Sequence, residues 1–186
     1  FSNLNIVYYG DNVSNLGGEL NVYIDGPKSI LSKNISWRKK ILQNVAHKGT
    51  FKYKIVIPET RNFTKPKIDN NYYEWENEAM KNASIILFWI PRQSKVFTGK
   101  DINDRFGMYK MTKNIVLGAP KDTEEITYQQ WWCETHDTIK VGKFDNIFKY
   151  LEEMLSTLES KIEICPEKNP EMKKLYKTYK NEKNET

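Results

Sequence analysis

An unbroken apolar run over residues 84–90 constrains the fold of this chain more than any other feature. It reads Ser-Ile-Ile-Leu-Phe-Trp-Ile and is closed at once by Pro91. A strand without polar alternation is typical of the centre of a parallel sheet that helices cover on both faces. Shorter apolar runs recur along the chain, and segments of helical period separate them. The pattern predicts an α/β protein built on an open parallel sheet.

The alternation predicts about five strands with helices on both faces of the sheet. Strands are expected over residues 21–25, 51–57, 84–90, 114–117 and 138–141. Helices are expected over residues 36–45, 69–83, 101–111, 127–136 and 144–158, the first of them capped by Ser36. The sequence therefore predicts a core domain over residues 20–160.

Two segments flank that core. Residues 1–19 contain one strand-like run over residues 5–9, which predicts an N-terminal extension with an extra edge strand. Residues 161–186 are rich in Lys, Glu and Asn, which predicts a polar C-terminal tail, either solvated or serving as an arm that binds a partner.

Composition narrows the function classes. The formal net charge of +5 is spread among interspersed Lys and Glu, so nucleic acid is not an expected partner. Cys133, Cys165, His47 and His136 have no neighbours at metal-ligand spacing, and no metal site is predicted. No apolar run approaches the about 20 residues that span a bilayer. A cytoplasmic location is expected, although the missing initiator Met leaves room for a removed leader.

The strand ends supply candidates for binding a small molecule. In open parallel α/β sheets, ligands bind beyond the carboxyl ends of the strands, where loops and helix N-termini meet. A helix that starts near Asp101 could present its amides to an anion. The substrate-binding candidates at the strand ends are Asp25, Gly26, Pro27, Trp89, Pro91 and Gly118.

An ordered set of short motifs runs from about residue 20 to residue 155. The motifs are Gly26-Pro27, Ser36-Trp37-Arg38, Val56-Ile57-Pro58-Glu59, Trp75-Glu76, Phe88-Trp89-Ile90-Pro91, Asn103-Asp104-x-Phe106-Gly107 and Val116-Leu117-Gly118-Ala119-Pro120. Together they resemble the nucleoside 2-deoxyribosyltransferase family. The resemblance implies a flavodoxin-like sheet, a homo-oligomer or larger assembly, and exchange or cleavage of the N-glycosidic bond of deoxynucleosides or deoxynucleotides without metal or organic cofactor.

The same resemblance assigns residues to that chemistry. Retaining transfer at C1 of the sugar requires one carboxylate that attacks and a second acid that protonates or orients the leaving base. Glu76 stands where the family places an acid, but Arg105 stands where the family has its nucleophilic glutamate. Asp101, one turn earlier, and the adjacent Asp104 are the candidates for a displaced nucleophile. Asn103 joins the substrate-binding candidates through its motif.

Three function classes remain open at this point. One is an active N-glycosidic transferase or hydrolase, and another is a pseudoenzyme that binds a nucleoside or nucleotide without turnover. Arg105 favours the second, and there it could pair with a carboxylate or make a bidentate contact to a phosphate. The third class is a structural subunit that packs against partners through Tyr128, Trp131 and Trp132.

Overall fold

Six parallel strands form one sheet in this computed structural model, which describes residues 1–18, 20–27, 36–47, 51–93, 97–120, 122–136 and 139–141. The strands are β1 (Leu4–Val7), β2 (Asn21–Asp25), β3 (Phe51–Val56), β4 (Ile85–Trp89), β5 (Asn114–Gly118) and β6 (Ile139–Val141). Their order across the sheet is β1-β3-β2-β4-β5-β6. The predicted flavodoxin-like α/β fold is confirmed.

Helices cover both faces of this sheet. They are α1 (Trp37–His47), α2 (Asn70–Lys81), α3 (Lys100–Tyr109) and α4 (Thr127–Thr135), and one 3₁₀ turn covers Leu16–Gly18. The apolar side of α1 packs on one face, where Ile41 and Leu42 join a cluster that includes Ile24 and Leu87. Helices α2, α3 and α4 pack on the other face, where Phe106 joins a cluster that includes Phe88.

Strands β2 and β4 lie at the centre of the sheet, where helices cover them on both faces. Every residue of β2 and of β4 is buried, because helices cover the strands on both sides. The two strands pair in register from Val22 with Ile85 to Asp25 with Phe88. Burial of such apolar side chains is the main favourable contribution to folding.

The N-terminal extension is part of the same sheet. Strand β1 lies beside β3 at the sheet edge, so the expected extra strand is present, although it ends at Val7 rather than at residue 9. Backbone bonds continue past its end, since the Tyr9 amide donates to the Glu59 carbonyl at 2.9 Å. The helix predicted over residues 144–158 and the tail over residues 161–186 lie outside the described residues.

The helix starts follow the chemistry of their caps. The Ser36 hydroxyl accepts from the Lys39 amide at 3.2 Å, as an N-cap does, and the Asp69 carboxylate caps α2 through the Tyr72 amide at 3.0 Å. Helix α3 begins at Lys100, and its N-cap is Gly99, which has φ of 62°. The helix therefore begins one residue before the predicted start at residue 101, and Asp101 lies in its first turn.

The strand order fixes where a ligand could enter. The chain leaves β2 towards β3 on one side and leaves β4 towards β5 on the other, so the order reverses between β2 and β4. In flavodoxin-like sheets, the crevice at that reversal is the ordinary ligand site. None of the helices within the described residues has the length and apolar character needed to cross a membrane.

Candidate functional site

The ends of β2 and β4 meet closely at Gly26. A Cβ at this position would lie 2.5 Å from the Trp37 ring and 3.0 Å from the Trp89 carbonyl oxygen, so a side chain has no room. Trp37 also donates its indole N–H to the Pro27 carbonyl at 3.0 Å. We call residues 26–27 the β2 loop. The glycine thus lets this loop lie against the end of β4, and Asp25 directly precedes the contact.

Arg105 of α3 binds the carboxylate at the end of β2. Its Nε donates to Asp25 Oδ2 at 2.6 Å and its Nη2 donates to Asp25 Oδ1 at 2.9 Å, which makes a bidentate pair. Asp25 is fully buried, and the Arg105 side chain is 11% exposed. The Gly26 amide donates to Asp25 Oδ1 as well, at 2.8 Å. Such charge-assisted pairs have fixed geometry and are the strong class of hydrogen bond.

Two further carboxylates surround the same guanidinium. Arg105 Nη1 lies 3.5 Å from Glu76 Oε1 and 3.2 Å from Asp101 Oδ2. We call Asp25, Glu76, Asp101 and Arg105 the acidic cluster. With its three carboxylates ionised, the cluster has one positive and three negative charges. The guanidinium therefore neutralises only part of the negative charge around it.

Two buried phenols hold Glu76 from the other side. Its Oε2 accepts from the Tyr72 hydroxyl at 2.7 Å and from the Tyr23 hydroxyl at 3.3 Å. Tyr23 and Tyr72 are both fully buried, and Glu76 is nearly so. Both of its oxygens thus accept from donors, which orient the carboxylate and replace hydrogen bonds to water.

The pKa shifts follow from this burial. Burial raises the pKa of the Asp25 carboxyl above its ordinary value, and the adjacent Arg105 guanidinium opposes that rise. Burial alone would lower the pKa of Arg105, but the Asp25, Glu76 and Asp101 carboxylates together outweigh it, and the pKa is raised. Burial also raises the pKa of Tyr23 and of Tyr72, and the Glu76 charge adds to both shifts. The guanidinium stays charged and both phenols remain hydrogen-bond donors.

This arrangement restricts what Arg105 can do chemically. A protonated guanidinium cannot attack an anomeric carbon, so the residue cannot act as a nucleophile. Its Nε, Nη1 and Nη2 atoms all donate to carboxylates of the acidic cluster. These four bonds use most of its five N–H donors, and a phosphate would meet the negative charge of the same carboxylates. The geometry therefore favours the carboxylate alternative for Arg105 over the phosphate contact.

The structure brings together four of the predicted site residues and separates the others. Those in the acidic cluster are Asp25, Glu76, Asp101 and Arg105. Of the two candidate nucleophiles, Asp101 is in the cluster with 54% of its side chain exposed, whereas Asp104 is exposed outside it. Gly26, Pro27, Trp89 and Gly118 are buried at the strand ends, and Pro91 is partly exposed.

Asn103 serves a neighbouring loop rather than the cluster. Its side-chain oxygen accepts from an Nη of Arg92 and, at 2.9 Å, from Gln129 Nε2. Arg92 is buried and also donates to the Thr98 carbonyl at 2.7 Å and to the Glu125 carbonyl. Asn103 and Arg92 thus join the start of α3 to the loop before α4, and they fix the helix that positions Arg105.

A second buried arginine shapes the β2 loop and was not predicted from the sequence. Arg38 of α1 is fully buried and donates to the carbonyls of Ile24, Gly26 and Pro27, at 3.0, 3.4 and 3.1 Å. It also pairs with Glu59 Oε1 at 2.9 Å. The available signal was the Ser36-Trp37-Arg38 motif, in which a basic residue falls on the buried side of a helix.

Metal binding and known relatives add no further assignment. Within the described part of the chain, no three His, Cys, Asp or Glu side chains are grouped so that they could hold a metal ion. No protein-family model matches the chain, and no curated protein matches it significantly.

Proposed function

We propose that this chain binds nucleosides or deoxynucleosides at the acidic cluster and turns over their N-glycosidic bond slowly or not at all. The motifs similar to those of the nucleoside 2-deoxyribosyltransferase family support this proposal. The position of the cluster supports it as well, because Asp25 ends β2 beside the reversal of strand order, where flavodoxin-like sheets bind ligands.

One observation carries the loss of turnover. Arg105, which replaces the nucleophilic glutamate of the resembled family, makes a bidentate pair with the buried Asp25. The substitution is therefore built into the site rather than left at its surface. A binding protein can keep such a pair, whereas a retaining transferase needs a free carboxylate at this point.

The exposed part of the cluster suggests how a ligand is held. The Asp101 carboxylate is half-exposed and accepts from Arg105, so it has oxygen lone pairs that can accept from sugar hydroxyls. With its carboxylates ionised, the cluster carries more negative than positive charge, and it then favours neutral or cationic ligands over phosphorylated ones. A neutral nucleoside is accordingly the preferred ligand class.

A second candidate is a slow N-glycosidic hydrolase or transferase with Asp101 as its carboxylate nucleophile. Asp101 Oδ2 and Glu76 Oε1 both contact Arg105 Nη1, so these oxygens are at most about 7 Å apart, near the separations that glycosidases use. Arg105 lies between them and would have to move for a sugar to enter. This candidate therefore requires a rearrangement that simple binding does not.

The proposal includes assembly into a homo-oligomer. Tyr128 and Trp131 of α4 are each about half-exposed, and Met108 and Met111 near the end of α3 are more exposed still. Trp132, the third aromatic residue of the predicted contact, is buried. Exposed aromatic and Met side chains of this kind are enriched in interfaces between subunits. Light scattering of wild type and Trp131→Glu tests this part, with a smaller mass expected for the variant.

Calorimetry with matched aspartate variants tests the main proposal. The wild-type protein should bind 2′-deoxyadenosine or another deoxynucleoside saturably at one site. Asp101→Asn should weaken that binding, whereas Asp104→Asn should leave it unchanged, since Asp104 lies outside the cluster on the same helix. Absence of saturable binding to deoxynucleosides, their monophosphates and ADP-ribose would overturn the proposal.

A further inference from the structure

The N-terminal segment brings an aromatic residue to the ligand edge of the sheet. Strand β1 runs parallel to β3, so both strands end on the side where β2 ends at Asp25. Tyr9 follows β1 by two residues and therefore lies at that edge. It belongs to an extension that precedes the first strand of the resembled motifs.

Hydrogen bonds of ordinary length hold the turn that contains Tyr9. The Tyr8 amide donates to Asp11 Oδ2 at 2.9 Å, and the Asp11 amide returns a bond to the Tyr8 carbonyl at 3.0 Å. Gly10 has φ of 93°, which the turn requires and which other residues rarely adopt. The Trp75 indole N–H donates to the Asp11 carbonyl at 2.9 Å and so fastens the turn to α2. The Tyr9 ring is thereby fixed in place.

A single residue, Tyr72, lies between Tyr9 and the acidic cluster. The ring centroid of Tyr9 is 5.5 Å from that of Tyr72, at an interplanar angle of 36°, and 5.4 Å from that of Trp75. The hydroxyl of Tyr72 donates to Glu76. Tyr72 is fully buried, but Tyr9 keeps part of its side chain exposed. A partly exposed, uncharged aromatic ring therefore lies next to the phenol that holds Glu76.

We infer that Tyr9 forms a wall against which the planar base of a bound nucleoside stacks. This inference rests on the proposed function and adds to it the part of the site that recognises the base. The carboxylates of the cluster accept from the sugar, while the phenol ring contacts the base, whose π-face it complements. The N-terminal extension then contributes to specificity as well as to the sheet.

A matched pair of tyrosine variants tests the inference. Tyr9→Leu removes the aromatic wall, and calorimetry should show about tenfold weaker binding of 2′-deoxyadenosine, since base stacking contributes on that scale. Tyr9→Phe should bind nearly as well as wild type. Tyr8→Leu is the control, because Tyr8 contacts Phe63 and Arg61 instead of α2. Equal affinities of wild type and Tyr9→Leu would show that Tyr9 only covers Tyr72.

A second measurement needs no variant. Wild-type protein should bind 2′-deoxyuridine more tightly than its 5,6-dihydro derivative, because saturation removes the planar π-face and leaves the sugar unchanged. Equal affinities would overturn the stacking inference while the proposed function stands. Failure of every nucleoside to bind wild type would instead overturn the proposed function, and the inference with it.

Discussion

Arg105 and Asp25 are 80 positions apart in the sequence, yet two hydrogen bonds of 2.6 and 2.9 Å join them. The pair links α3 to the carboxyl end of the central strand β2. A carboxylate as buried as Asp25 is stable in its charged form only if a partner compensates its lost hydration. The function and the stability of this site therefore depend on the same contact.

Replacing the arginine should be costly for stability. Arg105→Gln leaves the buried Asp25 carboxylate without its cation, and loss of one partner from a buried pair typically costs about 3–5 kcal/mol. Urea denaturation at pH 7 measures the change. Arg61→Gln is the control, since Arg61 also pairs with an aspartate but is 69% exposed, so a change below about 1 kcal/mol is expected. Equal costs for the two variants would show that burial is not decisive.

The loss of unfolding free energy caused by Arg105→Gln should become smaller as the pH falls. Because burial raises the pKa of Asp25 from 3.8, the folded protein binds this proton more tightly than the unfolded chain. Protonation of Asp25 therefore contributes to the free energy of unfolding. This contribution is complete below the pKa that Asp25 has in the unfolded chain, and it is lost as the pH rises through the pKa of the folded protein. Without Arg105 the pKa of Asp25 in the folded protein is higher still, so the variant loses stability over a wider pH range. Denaturation at pH 5 and pH 8 should differ more for the variant than for wild type, and Asp25→Asn/Arg105→Gln should remove the excess.

A 5′-phosphate should not improve binding. Arg105 already donates to three carboxylates, and the acidic cluster has an excess of negative charge. Calorimetry should give 2′-deoxyadenosine an affinity equal to or higher than that of its monophosphate. Lowering the salt concentration should widen the difference, because screening weakens repulsion between charges. Tighter binding of the monophosphate would mean that Arg105 leaves Asp25 when the ligand enters.

Free base should appear only when a carboxylate is restored. Wild type is expected to release base from deoxynucleosides slowly or not at all, and Arg105→Glu should gain some turnover. Carboxyl groups placed side by side cannot all ionise, so one acid and one ionised nucleophile can coexist in this variant. Arg105→Gln breaks the same ion pair without adding a nucleophile and should gain nothing.

Chromatography of the free base follows this reaction, and adding Glu76→Gln to Arg105→Glu should abolish the gain because the second acid is lost. Rapid release by wild type would sink the binding-protein proposal. Loss of that release in Asp101→Asn would then identify Asp101 as the nucleophile.

Replacement by alanine should destabilise the protein at Gly26 and stabilise it at Gly107. Gly26→Ala places a methyl group 2.5 Å from the Trp37 ring, and overpacking of this kind costs about 1–3 kcal/mol. Gly107→Ala in α3 adds its methyl group where no atom lies within 4 Å, so a gain of about 0.5–1 kcal/mol is expected from helix propensity. Thermal denaturation distinguishes them, and a neutral Gly26→Ala would mean that the loop can move away from Trp37.

Local pattern was enough to predict most of the fold. Strand β4 is a continuous apolar run, and β2 has a shorter one between Asn21 and Asp25. Turn residues bound both strands, and such runs are typical of a parallel sheet covered on both faces. The start of α3 was predicted one residue late, because Gly99 caps the helix through a positive φ and not through a side chain. A cap without a side-chain hydrogen bond is harder to locate from the sequence than Ser36 or Asp69.

The site was predictable only as a set of residues. The rule for strand ends and the motifs selected Asp25, Glu76, Asp101 and Arg105, and pairing of Arg105 with a carboxylate was one expected alternative. The sequence did not identify Asp25 as that carboxylate. Pairing between positions 80 apart depends on how the sheet and helices pack, and no local period encodes that. The two phenols on Glu76 were missed for a related reason, since a buried tyrosine resembles any other core aromatic residue in a sequence.

Arg38 holds the main-chain oxygen atoms around the β2 loop in place, as a bound metal ion does in loops of other proteins. Its guanidinium is ringed by three main-chain oxygen atoms and the Glu59 carboxylate, deep below the surface. This cation is a covalent part of α1, so it cannot dissociate, exchange or be removed by a chelator. The positions of Gly26 and Pro27 are therefore held by a charge that the protein itself carries.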